Sequence, residues 1–185
     1  MMSKKELLLN KMKENNGIIT TKDALSLGIH KDTLKKLTHD EEIDEYLYFS
    51  YRIPKGVFSH ETAAYLQGLS TRMPLNYVMM VMKGDNVSRI KKNRDDISFK
   101  YSKKEYYDLG KERIISPFGR EVSVYDKEKT ILDLIRDKDR VDSGVFSEAM
   151  KLYFGGEDKD LLKLSKYAMY MNMEEQLKPY TEVLL

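Results

Sequence analysis

The apolar positions change their spacing along the chain, and the changes divide it. Leu8 and Met12 lie four residues apart and Leu9 widens their stripe, so residues 4–15 read as an amphipathic helix. Asn15-Asn16-Gly17 ends it, because Asn and Gly tolerate the left-handed backbone at a helix end. Ile18 and Ile19 form a short apolar link. Thr20-Thr21-Lys22-Asp23 then starts a second helix, with a threonine oxygen able to take an orphan amide and Asp23 at the positive end of the dipole. That helix runs to about Leu27. Gly28 breaks it, Ile29 is expected in the core, and a third helix runs from about Lys31 to Leu37. Tyr46 to Ile53 is aromatic-rich without a clear period and fits either a helix end or a strand. Pro54-Lys55-Gly56 is a turn, and the domain boundary is set there, giving residues 1–53 and 54–185.

Beyond the turn the pattern mixes periods. Ser59 is a candidate cap for a helix over residues 60–68, with Ala63, Ala64, Leu66 and Leu69 as its packing set. Tyr77 to Met82 is an unbroken apolar run between Pro74 and Gly84, the length and flanks of a buried strand. Ile97, Phe99 and Tyr101 alternate with Ser98 and Lys100, as in a half-buried strand. Ile114-Ile115 and Val122 to Tyr125 flank Pro117-Phe118-Gly119, which predicts a hairpin. Asp126 caps a helix through about Arg136. Another helix, carrying Phe146, Ala149, Met150 and Tyr153, stops at Gly155-Gly156. Leu161, Leu164, Ala168 and Met171 mark a last long helix that Pro179 should kink or restart. Three helices, then strands mixed with helices, then helices predict an α+β protein. The expected architecture is an N-terminal helix-turn-helix, winged-helix-like with its wing reduced or missing, followed by a mixed α/β domain with a small sheet and C-terminal helices.

Composition narrows the chemistry. The 185 residues are 41% apolar and 34% charged, a mixture that suits a folded domain with a heavily charged surface. There is no cysteine, which removes disulfides, thiolate metal sites and cysteine nucleophiles together. No segment approaches the roughly 18 consecutive apolar residues of a membrane span, and the N-terminus lacks a signal-peptide pattern, so a cytoplasmic location without membrane contact is expected. Net charge is only +2, but its distribution is uneven. Residues 1–39 hold eight lysines against four acids. Asp40, Glu41, Glu42, Asp44 and Glu45 follow at once. A second basic stretch, Lys83 to Arg120, suits nucleic acid, an acidic partner or a plain solvated surface.

The N-terminal spacing is that of a helix-turn-helix. Counted from Thr20, the small Ala24 falls where two crossing helices touch and Gly28 where the chain must turn. Leu27, Ile29, Leu34 and Leu37 fall inward. The second helix of such a unit presents its first residues to base edges, while lysines and helix-start amides hold phosphates. The candidate DNA-contacting residues are therefore Thr21, Lys22, His30, Lys31, Asp32, Thr33, Lys35 and Lys36. A small bundle that packs on a partner without touching DNA has the same apolar spacing and stays open.

Two longer stretches carry a resemblance. They are Ser59-His-Glu-Thr-Ala-Ala-Tyr-Leu-Gln-Gly-Leu-Ser-Thr-Arg-Met-Pro74 and Ser116-Pro-Phe-Gly-Arg-Glu-Val-Ser-Val-Tyr-Asp-Lys-Glu-Lys-Thr-Ile-Leu-Asp-Leu-Ile-Arg136. With the helix-turn-helix segment upstream, nearly the whole chain resembles the AbiEi family, the antitoxins of AbiE-type abortive-infection systems. The resemblance implies a winged helix-turn-helix that binds inverted repeats in its own promoter. It also implies a second domain that counters a nucleotidyltransferase-type toxin, in the type IV arrangement where no stable complex is obligatory. Such a protein is a repressor, a monomer or weak dimer, and not an enzyme. In place of the family's basic, glycine-containing wing this chain has Leu37-Thr-His-Asp-Glu-Glu-Ile-Asp-Glu45, which is short, acidic and free of glycine. That segment opposes phosphate contact.

Catalytic, metal and cofactor sites are not expected. His30, His39 and His60 have no metal-ligand spacing. Ser59-His60-Glu61 holds triad residue types, but neighbours on one helical turn are expected to diverge, so His60 is read as capping or packing. Asp95, Asp96, Asp126 and Asp133 lack the pattern of a nucleotidyltransferase metal site, and Asp133 is expected to cap or pair within its helix. The methionines at 79–82 and 169–173 are expected to fill core gaps, with a methionine-lined partner surface on the last helix as the alternative.

Overall fold

In a computed structural model, residues 3–14, 21–30 and 44–184 are described. The chain divides into two compact units, residues 1–44 and 45–185. The described part of the first holds α1 (Lys4–Glu14) and α2 (Thr21–Ser26). Leu8, Ala24 and Ile29 form its small core with half-buried Leu27 beside them. The expected third helix and the wing position at residues 37–43 lie outside the described residues.

The second unit opens with α3 (Glu45–Arg52), so the aromatic stretch that fitted either helix or strand is a helix. It also belongs to the second unit, nine residues before the expected boundary. The reason is aromatic packing. Tyr46 meets Phe58 and Tyr77 edge-on at 5.5 and 5.3 Å, and Phe49 lies 5.2 Å from Tyr77. Arg94 fixes the start of α3 by pairing with Glu45 at 2.9 Å and lying over the Phe49 ring.

Five strands make one mixed sheet in the order β3-β2-β1-β5-β4: β1 (Val57–Phe58), β2 (Tyr77–Met82), β3 (Ile97–Ser102), β4 (Lys111–Ile115) and β5 (Glu121–Tyr125). β2 and β3 run parallel, as do β1 and β5, and the β4–β5 hairpin is antiparallel. The apolar run of β2 is explained by burial on both sides. Met79 and Val81 face the cluster with Phe49, Phe58 and Ile97, whereas Met80 packs with Val57, Tyr107 and Tyr125. Three short helices join strands: α4 (His60–Leu66), α5 (Ser88–Asn93) and α6 (Lys104–Tyr107). The last two carried too few periodic positions to be predicted.

A helical layer follows: α7 (Lys127–Arg136), α8 (Ser143–Gly155), α9 (Leu161–Tyr170) and α10 (Glu174–Leu184). As expected, Asp126 caps α7 by accepting from the Lys129 amide at 2.8 Å. The expected long last helix is two helices. The break falls at Asn172, with φ of 53°, and not at Pro179. Asn takes the left-handed conformation at low cost. Pro179 lies inside α10 at an exposed position, where the carbonyl its missing amide leaves unpaired can be solvated. Met79, Met80, Met171 and Met173 are buried as gap-fillers, while Met169 faces outward. No described helix is long and apolar enough to cross a membrane.

α7 is the most buried helix, with every residue from Glu128 to Ile135 inside. Its apolar side chains pack with Ala64, Ala149, Leu164 and Ala168. Lys129 and Asp133, one turn apart, are each about 1% exposed and pair through both carboxylate oxygens at 2.5 and 2.6 Å. Lys129 Nζ also lies 4.5 Å from the Tyr125 ring centre. A fully buried pair returns little more than its desolvation cost, yet removing one partner strands the other charge. Asp133→Ala should cost about 3–5 kcal/mol in urea unfolding of the full chain, whereas the double change Lys129→Met with Asp133→Leu should be neutral or stabilising. Equal losses for the single and double variants would contradict this.

Candidate functional site

The DNA-contact candidates centre on the end of α2. The Ile29 amide donates to the Ala24 carbonyl at 2.9 Å and the Gly28 amide to Leu25 at 3.0 Å. This pair of bonds is a Schellman motif, and Ala24 and Ile29 also share the apolar contact that accompanies it. Gly28 supplies the required φ of 69° without strain. The turn at Gly28 and the buried Ile29 are therefore as the sequence predicts. Lys22 is exposed on the first turn of α2, Thr21 begins that helix, and His30 is exposed just past the turn. Lys31, Asp32, Thr33, Lys35 and Lys36 lie outside the described residues.

In the second unit the two stretches that carry the family resemblance meet. α4 comes from the first and β5 with α7 from the second. Gln67, after α4, donates to the Tyr125 carbonyl at 2.7 Å and to Glu112 at 2.5 Å. Ala63 and Ala64 keep α4 slim, the former facing the sheet cluster and the latter the helical one. The loop after α4 is tied down by Glu148 of α8, which accepts from Ser70 Oγ, Thr71 Oγ1 and the Thr71 amide at 2.8, 2.7 and 3.1 Å.

At the start of α4, Ser59 occupies the cap position but makes no capping bond. Its hydroxyl lies 3.1 Å from His60 Nδ1, because His60 adopts a left-handed φ of 51°. The expectation that these neighbours diverge is thus corrected. His60 Nε2 lies 3.4 Å from Asp137, and Lys100 bonds the same carboxylate. Ser59, His60 and Asp137 form a chain of triad residue types. Ser59 is fully buried, so no substrate reaches the hydroxyl, and the chain ties α4 to the end of α7.

A second polar cluster has no counterpart in the sequence pattern. Lys163 of α9 reaches Asp126 at 3.0 Å and Glu128 at 2.9 Å. Tyr167 donates to Asp126 and Tyr153 to Glu128, each at 3.1 Å. Burial pushes the Asp126 carboxyl up despite these bonds and pushes the Tyr167 hydroxyl up to about 12. One lysine shared by two buried carboxylates is a clamp between α7 and α9. Glu128 and Lys163 stand 35 residues apart in no motif, and only the fold shows their pairing. Asp96 pairs with Arg94, and among the described residues no three His, Cys, Asp or Glu converge on a metal position. A cavity of about 180 Å³ beside β5 is lined by Ser50, Pro54, Arg113, Glu121, Val122 and Ser123.

No family model matches the chain, and no curated protein matches it.

The bonds from His60 and then Lys100 hold the Asp137 carboxyl well below its ordinary value near 3.8. A depressed carboxylate contributes stability that is fully present above that ordinary value and lost as pH falls through the lower folded value. Asp137→Asn should therefore flatten the acid limb of a stability-versus-pH curve while lowering stability at neutral pH. An unchanged acid limb would remove Asp137 as its source.

Proposed function

We propose that the chain is the antitoxin of an AbiE-like type IV system, a cytoplasmic, non-enzymatic regulator. It represses its own operon by binding inverted repeats in the promoter and counters a nucleotidyltransferase-type toxin, directly or only functionally. The observation that carries the DNA-binding half is the Schellman turn at Gly28, which ends α2 sharply with Lys22 exposed and Ala24 and Ile29 buried. Such a turn suits a unit whose next helix enters the major groove. The antitoxin half rests on the resemblance, and it is supported by the packing of the two resembling stretches against each other. Phosphate contact would come from Thr21, Lys22, Lys31, Lys35 and Lys36, and base contact from His30, Asp32 and Thr33.

Operator fragments carrying the inverted repeats should bind more tightly than random duplex of equal length. Changing Lys31, Lys35 and Lys36 together to alanine should make the salt dependence shallower by about 0.9 for each phosphate no longer neutralised. Equal, weak binding of operator and random duplex at low salt would end the repressor half. The acidic run Asp40 to Glu45 favours a second reading, an interaction module that does not bind DNA. Under that reading the triple-alanine protein neutralises the toxin as well as the native chain does.

A further inference from the structure

We propose that the carboxyl ends of β2 and β3 form a site for single-stranded nucleic acid, in which Tyr101 stacks an unpaired base and Lys83, Lys103 and Arg89 hold the adjoining phosphates. The site lies in the second unit and does not depend on the helix-turn-helix.

The parallel register puts Tyr101 beside Val81 and Ser102 beside Met82, and the Lys83 amide donates to the Ser102 carbonyl at 3.0 Å. Lys83 and Lys103 therefore leave the sheet side by side. Ile97 and half-buried Phe99 face α5, packing with its Ile90 and with Val87. Strand alternation places Tyr101 on that same face, and the extended backbone of Lys103 continues the alternation. Phe99 is covered but Tyr101, one pleat nearer the strand end, is 49% exposed. Among the described residues the Tyr101 side chain makes no hydrogen bond and no ring contact, unlike Tyr46, Tyr106 or Tyr153. A flat ring left uncovered beside a packed apolar strip is a stacking platform.

Cations lie on the same crossover and strand ends. Lys83, Arg89, Lys91 and Lys92 are exposed and make no ion pair among the described residues. Ile90 and Val87 anchor the short helix that carries the last three, and its first turn, with Arg89, is the end nearest the strand ends. Lys103 has only a loose contact with Glu105 at 3.9 Å, both side chains being exposed. Asp85, just after β2, accepts from the Met82 amide at 3.1 Å. Positive side chains around an exposed aromatic are the two elements by which single strands are held, phosphates by charge and bases by stacking. A duplex or an acidic protein would use the cations but has no unstacked base for the ring.

The test is fluorescence anisotropy with the full chain, a labelled single-stranded RNA of about 12 nucleotides and a random duplex DNA of equal length, at about 50 mM salt. The single strand should bind. Tyr101→Ala should weaken it about tenfold and Tyr101→Phe less than about twofold, with duplex affinity unchanged in both. Changing Lys83 and Lys103 to alanine should make the salt dependence shallower by about 0.7 for each phosphate left without its cation. Absence of single-strand binding, equal loss of single-strand and duplex binding in Tyr101→Ala, or a Tyr101→Phe variant as weak as Tyr101→Ala would each overturn the site. Loss of operator binding with single-strand binding retained would count against the repressor reading alone.

Discussion

α7 has ten residues, and from Glu128 to Ile135 all of them are inside, charged and apolar alike. A helix buried on all sides has no solvent face for Glu128, Lys129 and Asp133, so the surrounding elements must supply their partners. Lys129 and Asp133 satisfy each other within the helix. Glu128 needs Lys163 and Tyr153 from two other helices, and the cap residue Asp126 needs Lys163 and Tyr167. At the far end Asp137 takes His60 and Lys100 from α4 and β3. The position of α7 thus fixes α4, α8, α9 and the sheet through bonds whose geometry admits little slack, while the apolar stripe provides most of the driving force.

That division of labour explains the second unit's surface. Its polar clusters are turned inward and consumed in holding helices together, and the cavity beside β5 is small. Among the described residues, what remains outside are cations without an ion pair, single exposed rings and the loop pinned by Glu148. Even the Ser59–His60–Asp137 chain, with suitable atoms in line, is closed off by burial.

The sequence was legible where one element makes its own signal. The strands at 77–82 and 97–102, the hairpin around Pro117-Phe118-Gly119, the Asp126 cap and the turn at Gly28 each follow from local pattern and appear as expected. Where tertiary packing decides, local pattern was insufficient. Tyr46 and Phe49 show no period, and it is the aromatic contacts with Phe58 and Tyr77 that place α3 in the second unit. Pro179 is the stronger breaker by propensity, yet the chain turns at Asn172, where the Met173 amide reaches back to the Ala168 carbonyl at 2.8 Å and both Met171 and Met173 are buried. The left-handed His60 could not be read because the partner that holds it, Asp137, lies 77 residues away and is itself held by Lys100.

The same logic separates the two kinds of charge in the basic stretch from Lys83 to Arg120. Counted in sequence they are one group, but the fold sorts them. Arg94 is held by Glu45 and Asp96, Lys100 by Asp137, Lys111 by Asp108 and Arg113 by Glu121. Of those without a close ion pair among the described residues, Lys83, Arg89, Lys91, Lys92 and the loosely paired Lys103 fall on the β2–α5–β3 crossover and the strand ends it serves, whereas Lys104 lies on α6 and Arg120 in the β4–β5 turn. A parallel pair needs a crossover to bring the chain back, and the crossover sets the start of its helix beside the carboxyl ends of both strands. Topology therefore brings Lys83, Arg89 and Lys103 toward one end of the β2–β3 pair.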